Sequence, residues 1–135
     1  MNQYHRFFIQ KNTELGSPPL VPEIKLHLAV DATELWKMTT KELKDNGLPL
    51  PFWAFAWAGG QALARYIVDN PQLVEDKSVL DMGAGSGLVG LSALFSNASQ
   101  VDFKEIDCFA AEAIHLNLSA NQLDQNFQII LEHLP

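Results

Sequence analysis

Val79-Leu80-Asp81-Met82-Gly83-Ala84-Gly85-Ser86-Gly87-Leu88-Val89-Gly90 is the stretch that decides the fold. A short apolar run ends in an acid, and glycine then recurs at positions 83, 85 and 87. Glycines so spaced let the backbone turn sharply at positive φ and leave no Cβ between backbone and ligand. Residues 88–96 are apolar enough for a helix laid on a sheet, and the first N–H groups of such a helix have no partner within it. A buried strand at 78–81, a glycine turn and a helix make a ligand site over the ends of parallel strands.

Outward from this turn the pattern continues. Residues 100–106 alternate, with Val101, Phe103 and Glu105 on one side, which predicts a second strand. Asp107 is placed to cap a helix carrying Ala110, Ala113, Ile114, Asn117, Leu118 and Asn121 on one stripe. Residues 127–131 read as a third strand. Upstream, 61–69 reads as a helix stopped by Asn70-Pro71, and Leu48-Pro49-Leu50-Pro51 forces extended backbone. Asp31-Ala32-Thr33-Glu34 and Thr39-Thr40-Lys41-Glu42 have capping-box form, so short helices are expected at each, the second ending at Asn46-Gly47. Strand, helix, strand, helix, strand predicts an α/β fold with a Rossmann-like parallel sheet. Residues 1–50 are expected to form an N-terminal extension with short helices, and 51–135 the sheet-bearing part.

The 135 residues suit one domain, and 47% hydrophobic with 19% charged residues excludes a fully disordered chain. A net charge of -7 argues against nucleic acid or an anionic membrane as partner, since both would repel it. No signal peptide is expected at the start, and the longest apolar stretch, 52–68, falls short of the roughly 20 residues that span a bilayer. Cys108, the single cysteine, has no intrachain partner, so a reducing, cytoplasmic setting is expected. In that setting the tripeptides Asn97-Ala98-Ser99 and Asn117-Leu118-Ser119 match the glycosylation pattern by chance. His5, His27, His115 and His133 lack metal-ligand spacing, and no metal is expected.

Two ligand classes share the glycine turn. Gly85-Ser86-Gly87-Leu88-Val89-Gly90 fits a dinucleotide fingerprint, whereas Asp81-Met82-Gly83-Ala84-Gly85-Ser86-Gly87 resembles the acid-led loop of methyltransferases that use S-adenosylmethionine. A carboxylate before the loop repels a pyrophosphate and attracts the ammonium and sulfonium charges of S-adenosylmethionine, which favours the second. Glu105, about 20 residues on, suits the two ribose hydroxyls. Trp53 and Trp57 either flank the ligand or pack in the core from one helix face at i, i+4 spacing. Asn117 and Asn121 are expected to fix their helix against the strand ends.

Residues 51–66 (Pro-Phe-Trp-Ala-Phe-Ala-Trp-Ala-Gly-Gly-Gln-Ala-Leu-Ala-Arg-Tyr), with 18–24, 81–87 and 117–121, resemble methyltransferases that modify lysines of the electron transfer flavoprotein beta subunit. Bacterial relatives of these often carry the name nicotinamide N-methyltransferase-like. The resemblance implies S-adenosylmethionine as cofactor and protein lysine as methyl acceptor. The candidate cofactor-binding residues are Asp81, Gly83, Ala84, Gly85, Gly87, Glu105 and Ile106, with Trp57 added through the resemblance; no catalytic residue stands out. Where the family usually has Asp-Ile-Asp-Pro, this chain has Glu105-Ile106-Asp107-Cys108, which keeps the carboxylate. The family continues past the third strand, so the resemblance implies an N-terminal part, with the sheet C-terminally truncated. Alternatives are a small-molecule N-methyltransferase, a dinucleotide-binding oxidoreductase, and an inactive methyltransferase fragment acting as an interaction module.

Overall fold

The computed structural model describes residues 2–30, 35, 40–45 and 50–132. Three strands, β3 (Ser78–Met82), β4 (Gln100–Glu105) and β5 (Phe127–Leu131), form a parallel sheet in the order β3-β4-β5. Asp81 lies beside Phe103, and Glu105 beside Leu131. Parallel neighbours need a crossover, and helices α4 (Leu88–Phe95) and α5 (Cys108–Ala120) supply the two. The expected α/β architecture is thus present.

On β4, Val101, Phe103 and Glu105 are buried, as the alternation predicts. The first strand differs from expectation: β3 is not buried. Its one strand neighbour among the described residues is β4, so Leu80 and Met82 are 54% and 70% exposed.

Before the sheet come α1 (Gln3–Asn12), the antiparallel pair β1 (Glu14–Gly16) and β2 (Leu26–Leu28), α2 (Thr40–Asp45), a single turn at Phe52–Ala54, and α3 (Ala58–Asp69). Helix α2 sits where the second capping box predicts it. The helix expected from Asp31 lies outside the described residues apart from Leu35, which is helical and buried, and so do Asn46-Gly47, the expected end of the second helix, and Leu48-Pro49. Helix α3 begins three residues earlier than expected, because Gln61 N–H closes a first turn onto the Trp57 carbonyl (2.9 Å) through Gly59 and Gly60. The two tryptophans therefore share no helix face. Trp53, in the preceding turn, is buried and stacked on Phe109 (6.3 Å, 10°), whereas Trp57 precedes α3 and is exposed.

The N-terminal residues join the core of the sheet. Val21, Ile24 and Leu26 pack in one cluster with Leu88, Leu91, Phe103 and Ile114. A second cluster unites Ile9, Trp53, Phe109 and Ala113. The Asn2 side chain caps α1 by accepting from the N–H groups of Tyr4 and His5. Glu112, buried on α5, then accepts the Asn2 N–H (3.2 Å) and lies 3.6 Å from the Arg6 guanidinium, fixing α1 on α5.

Gly90 sets the separation of α4 from the sheet. A Cβ there would lie 2.2 Å from Cε1 of Phe103, a fully buried ring. Alanine would gain about 1 kcal/mol of helix propensity, but overpacking a closed core typically costs about 1–3 kcal/mol or more. We predict that Gly90→Ala is net destabilising, read as a lower denaturant midpoint; an unchanged or raised midpoint would show that α4 can move off the sheet.

Candidate functional site

The three glycines after β3 adopt φ of +68° (Gly83), +57° (Gly85) and +83° (Gly87), a region that L side chains rarely enter. A Cβ added at Gly83 or Gly85 would meet no protein atom within 4 Å, and both residues line a cleft of about 840 Å³. The same cleft is lined by Asp81, Ala84, Glu105, Ile106 and Trp57, so seven of the eight candidate residues come together there. Gly87 does not line it. Its missing Cβ faces inward, toward Ile114 (3.1 Å) and Phe103 (3.4 Å), so glycine is needed there for backbone shape and close packing.

Three side chains from three elements hold the loop. Glu105, buried at the end of β4, accepts the Gly85 N–H at 2.6 Å through Oε1 and the Ile106 N–H at 3.1 Å through Oε2. Asp81, at the end of β3, accepts the Gly90 N–H at 2.9 Å, capping the first turn of α4 from outside the helix. Asn117 on α5 donates to the Ser86 carbonyl (2.8 Å) and accepts the His27 N–H (2.8 Å).

Asn117 and Asn121 do fix α5, but against β2 and the glycine loop instead of the parallel strand ends. The Asn121 amide accepts from Lys25 N–H (2.7 Å) and donates to the Lys25 carbonyl (2.6 Å), so the two amides satisfy one edge of β2. Asp107 caps α5 as expected, accepting the Phe109 N–H at 2.8 Å.

Charge is concentrated at this cleft. Burial is the main cause that raises the Asp81 pKa above 3.8; the Gly90 N–H opposes it, and the nearby Glu105 charge adds to it. Burial raises Asp107 in the same way. A carboxylate held against its desolvation cost favours a cationic ligand. It also disfavours a pyrophosphate, because Asp81 already occupies an N-terminal N–H of α4 that a phosphate would need.

Gln61 and Arg65 carry a contact that sequence reasoning missed. The Gln61 side chain accepts the Leu20 N–H (3.1 Å) and donates to the Ala56 carbonyl (2.7 Å). Arg65 forks onto both Glu23 carboxylate oxygens (2.9 and 2.7 Å), also reaches Asp69, and donates to the Leu20 carbonyl. Their i, i+4 spacing on α3 was the available signal.

Residues 62–134 match the family described as ribosomal protein L11 methyltransferase (PrmA). The chain belongs to the ribosomal protein L11 methyltransferase family. Within curated proteins it is 42% identical over 118 residues to the electron transfer flavoprotein beta subunit lysine methyltransferase of Xenopus laevis, covering 87% of this chain and 47% of that protein. It is 39% identical over 128 residues to the Homo sapiens protein of the same name, covering 94% and 47%. The chain thus spans about half the length of the curated relatives it matches. In fold it is similar to SMU.776, a solved structure described as a methyltransferase complexed with SAH (TM-score 0.53, 14% identity, 58% of this chain and 20% of that one). S-adenosylmethionine is the cofactor that the ribosomal protein L11 methyltransferase family and this fold imply. The residues present fit it: Gly83 and Gly85 leave a bare cradle between two acids.

Two predictions follow from the loop anchors. Asn117→Ala leaves the His27 N–H and Ser86 carbonyl without their partner, so unfolding stability is expected to drop by about 2–4 kcal/mol; a denaturant midpoint within error of the parent would refute the anchoring role. Asp81→Asn keeps an acceptor for Gly90 and removes a charge that folding disfavours. The raised folded pKa means that the cost of this charge is absent well below pH 3.8, grows as pH rises and is complete above the folded pKa. Ligand-free Asp81→Asn should therefore melt higher than the parent at pH 7, with the gain shrinking toward pH 4; a constant or inverted difference contradicts this.

Proposed function

We propose that this chain carries the cofactor site of an S-adenosylmethionine-dependent protein-lysine N-methyltransferase. The observation that carries the reading is the bare glycine cradle between the Asp81 and Glu105 carboxylates. The relatives' names support lysine as acceptor and the electron transfer flavoprotein beta subunit as the protein that bears it. Asp81 would face the amino-acid end of the cofactor, and Glu105, which accepts the Gly85, Ile106 and Asp107 N–H groups, keeps a lone pair on Oε1 for a ribose hydroxyl. Gly83, Ala84, Gly85 and Ile106 line the remainder, with Trp57 in the same cleft, while Gly87 contributes through loop shape. The cofactor supplies an electrophilic methyl group on a sulfonium.

The acceptor nitrogen must arrive as the free amine. Its lone pair forms the new C–N bond as the C–S electron pair leaves to sulfur, and the methylammonium product then sheds a proton to solvent. This chemistry asks the chain for in-line placement and water exclusion more than for a nucleophile of its own. The single exposed Cys108 supports a reducing, cytoplasmic location, and no helix among the described residues is long and apolar enough to cross a membrane.

Calorimetric titration of the chain tests the reading. S-adenosylhomocysteine is expected to bind and NAD is not; the reverse would sink it. Asp81→Asn should weaken S-adenosylhomocysteine binding by about ten- to a hundredfold, while adenosine, which lacks the amino-acid end, should bind almost as before. Glu105→Gln is a less direct probe, because its amide would face the Ile106 N–H as donor against donor and disturb the loop itself.

A further inference from the structure

Besides the buried Trp53, three rings line the cleft that the loop and its acids do not account for. Phe52, Phe55 and Trp57 all line it. Phe52 and Trp57 have centroids 6.1 Å apart at 57°, and Phe55 and Trp57 5.5 Å apart at 51°. These angles set the rings as walls at a corner, not as a stack. Phe52 and Trp57 remain 59% and 56% exposed, whereas Trp53 beside them is fully buried. The Trp57 ring is also fixed in place, since its indole N–H donates to the Phe52 carbonyl at 3.0 Å. That bond spends the polar edge of the indole within the protein and leaves its π face as what it offers to a ligand.

A ring face carries negative electrostatic potential, and two or three faces set at an angle bind a compact cation better than a neutral group of the same shape. The cleft adds Asp81, Glu105 and Asp107, all acidic, in a chain of net charge -7. Charge complementarity thus favours a cation over an anion of the same shape. We propose that Phe52, Phe55 and Trp57 form a receptor for the acceptor lysine nitrogen as it becomes cationic, and for the methylammonium forms that result. This rests on the methyltransferase reading above and specifies how that site holds its substrate. Positive charge develops on the lysine nitrogen as the C–N bond forms, so the ring faces stabilise the nitrogen most as the methyl arrives. Unlike a carboxylate hydrogen bond, a ring face does not lose its hold when N–H groups are replaced by methyls, which permits successive rounds at one lysine.

The test uses the full chain and two probes: Nα-acetyl-Nε-trimethyl-lysine methylamide, and its isostere with carbon in place of the quaternary nitrogen. Binding is followed at constant ionic strength by calorimetric titration, and in chains that keep Trp57 also by its indole N–H resonance, assigned through Trp57→Phe. The charged probe is expected to bind about two- to thirtyfold more tightly than the neutral one. Phe52→Leu and Trp57→Leu should each reduce this ratio, Trp57→Phe less so, and either leucine variant suffices if the other fails to fold. Saturating S-adenosylhomocysteine, whose sulfur is uncharged, should leave the charged probe bound. Equal affinity for the two probes overturns the proposal, as does displacement of the charged probe by S-adenosylhomocysteine, which would assign the rings to the cofactor. Absence of S-adenosylhomocysteine binding with charge discrimination intact would instead fail the methyltransferase reading and leave the cation receptor standing.

Discussion

The carboxylate of Glu105 accepts the Gly85 N–H at 2.6 Å and so joins the end of one parallel strand to the loop leaving the next. Three glycines at alternate positions, all at positive φ, would otherwise be a costly and mobile segment, because glycine loses more backbone entropy on ordering than any other residue. Asp81 fastens the far end of the loop to α4, and Asn117 fastens its middle to α5. With these bonds made, the cradle is formed before a ligand arrives, and binding need not order it. The same carboxylates that shape the loop also line the cleft proposed for the cationic ligand.

The segment from Leu20 to His27 is tied into this arrangement. Asn117 reaches from the Ser86 carbonyl to the His27 N–H, so β2 and the glycine loop share one side chain. Gln61 and Arg65 seize the backbone of Leu20 and the carboxylate of Glu23. The stretches 18–24 and 51–66, both of which carry the resemblance in sequence, are therefore two sides of one contact. The tryptophan–Gly-Gly-Gln run serves α3 and its attachment at one end and the cleft at the other.

Much of the fold was legible because it is periodic. The alternation of Val101, Phe103 and Glu105 placed β4, and the acid at 107 placed the start of α5. What escaped was set by partners distant in sequence. Asp81 read as a ligand carboxylate, and its hold on Gly90 depends on α4 folding back over the strand end. Gly90 read as part of a dinucleotide spelling, although its glycine is required by the Phe103 ring beneath it. Exposure of β3 follows from which strands lie beside it, which no pattern within residues 78–82 records. Of the two readings of the tryptophan pair, the shared helix face fails because i, i+4 spacing has meaning only inside a helix and α3 begins after the second of them, whereas both residues do line the cleft.

Amide hydrogen exchange at Gly85 and Gly90 in the ligand-free chain, resolved by NMR, tests the central claim most directly. A loop held by Glu105 and Asp81 predicts slow exchange at both amides, comparable with the amides of β4 and well below that of the loop at 122–126. Exchange at both as fast as in an unstructured peptide would mean that the carboxylates do not hold the cradle, and that its shape is made only by the ligand.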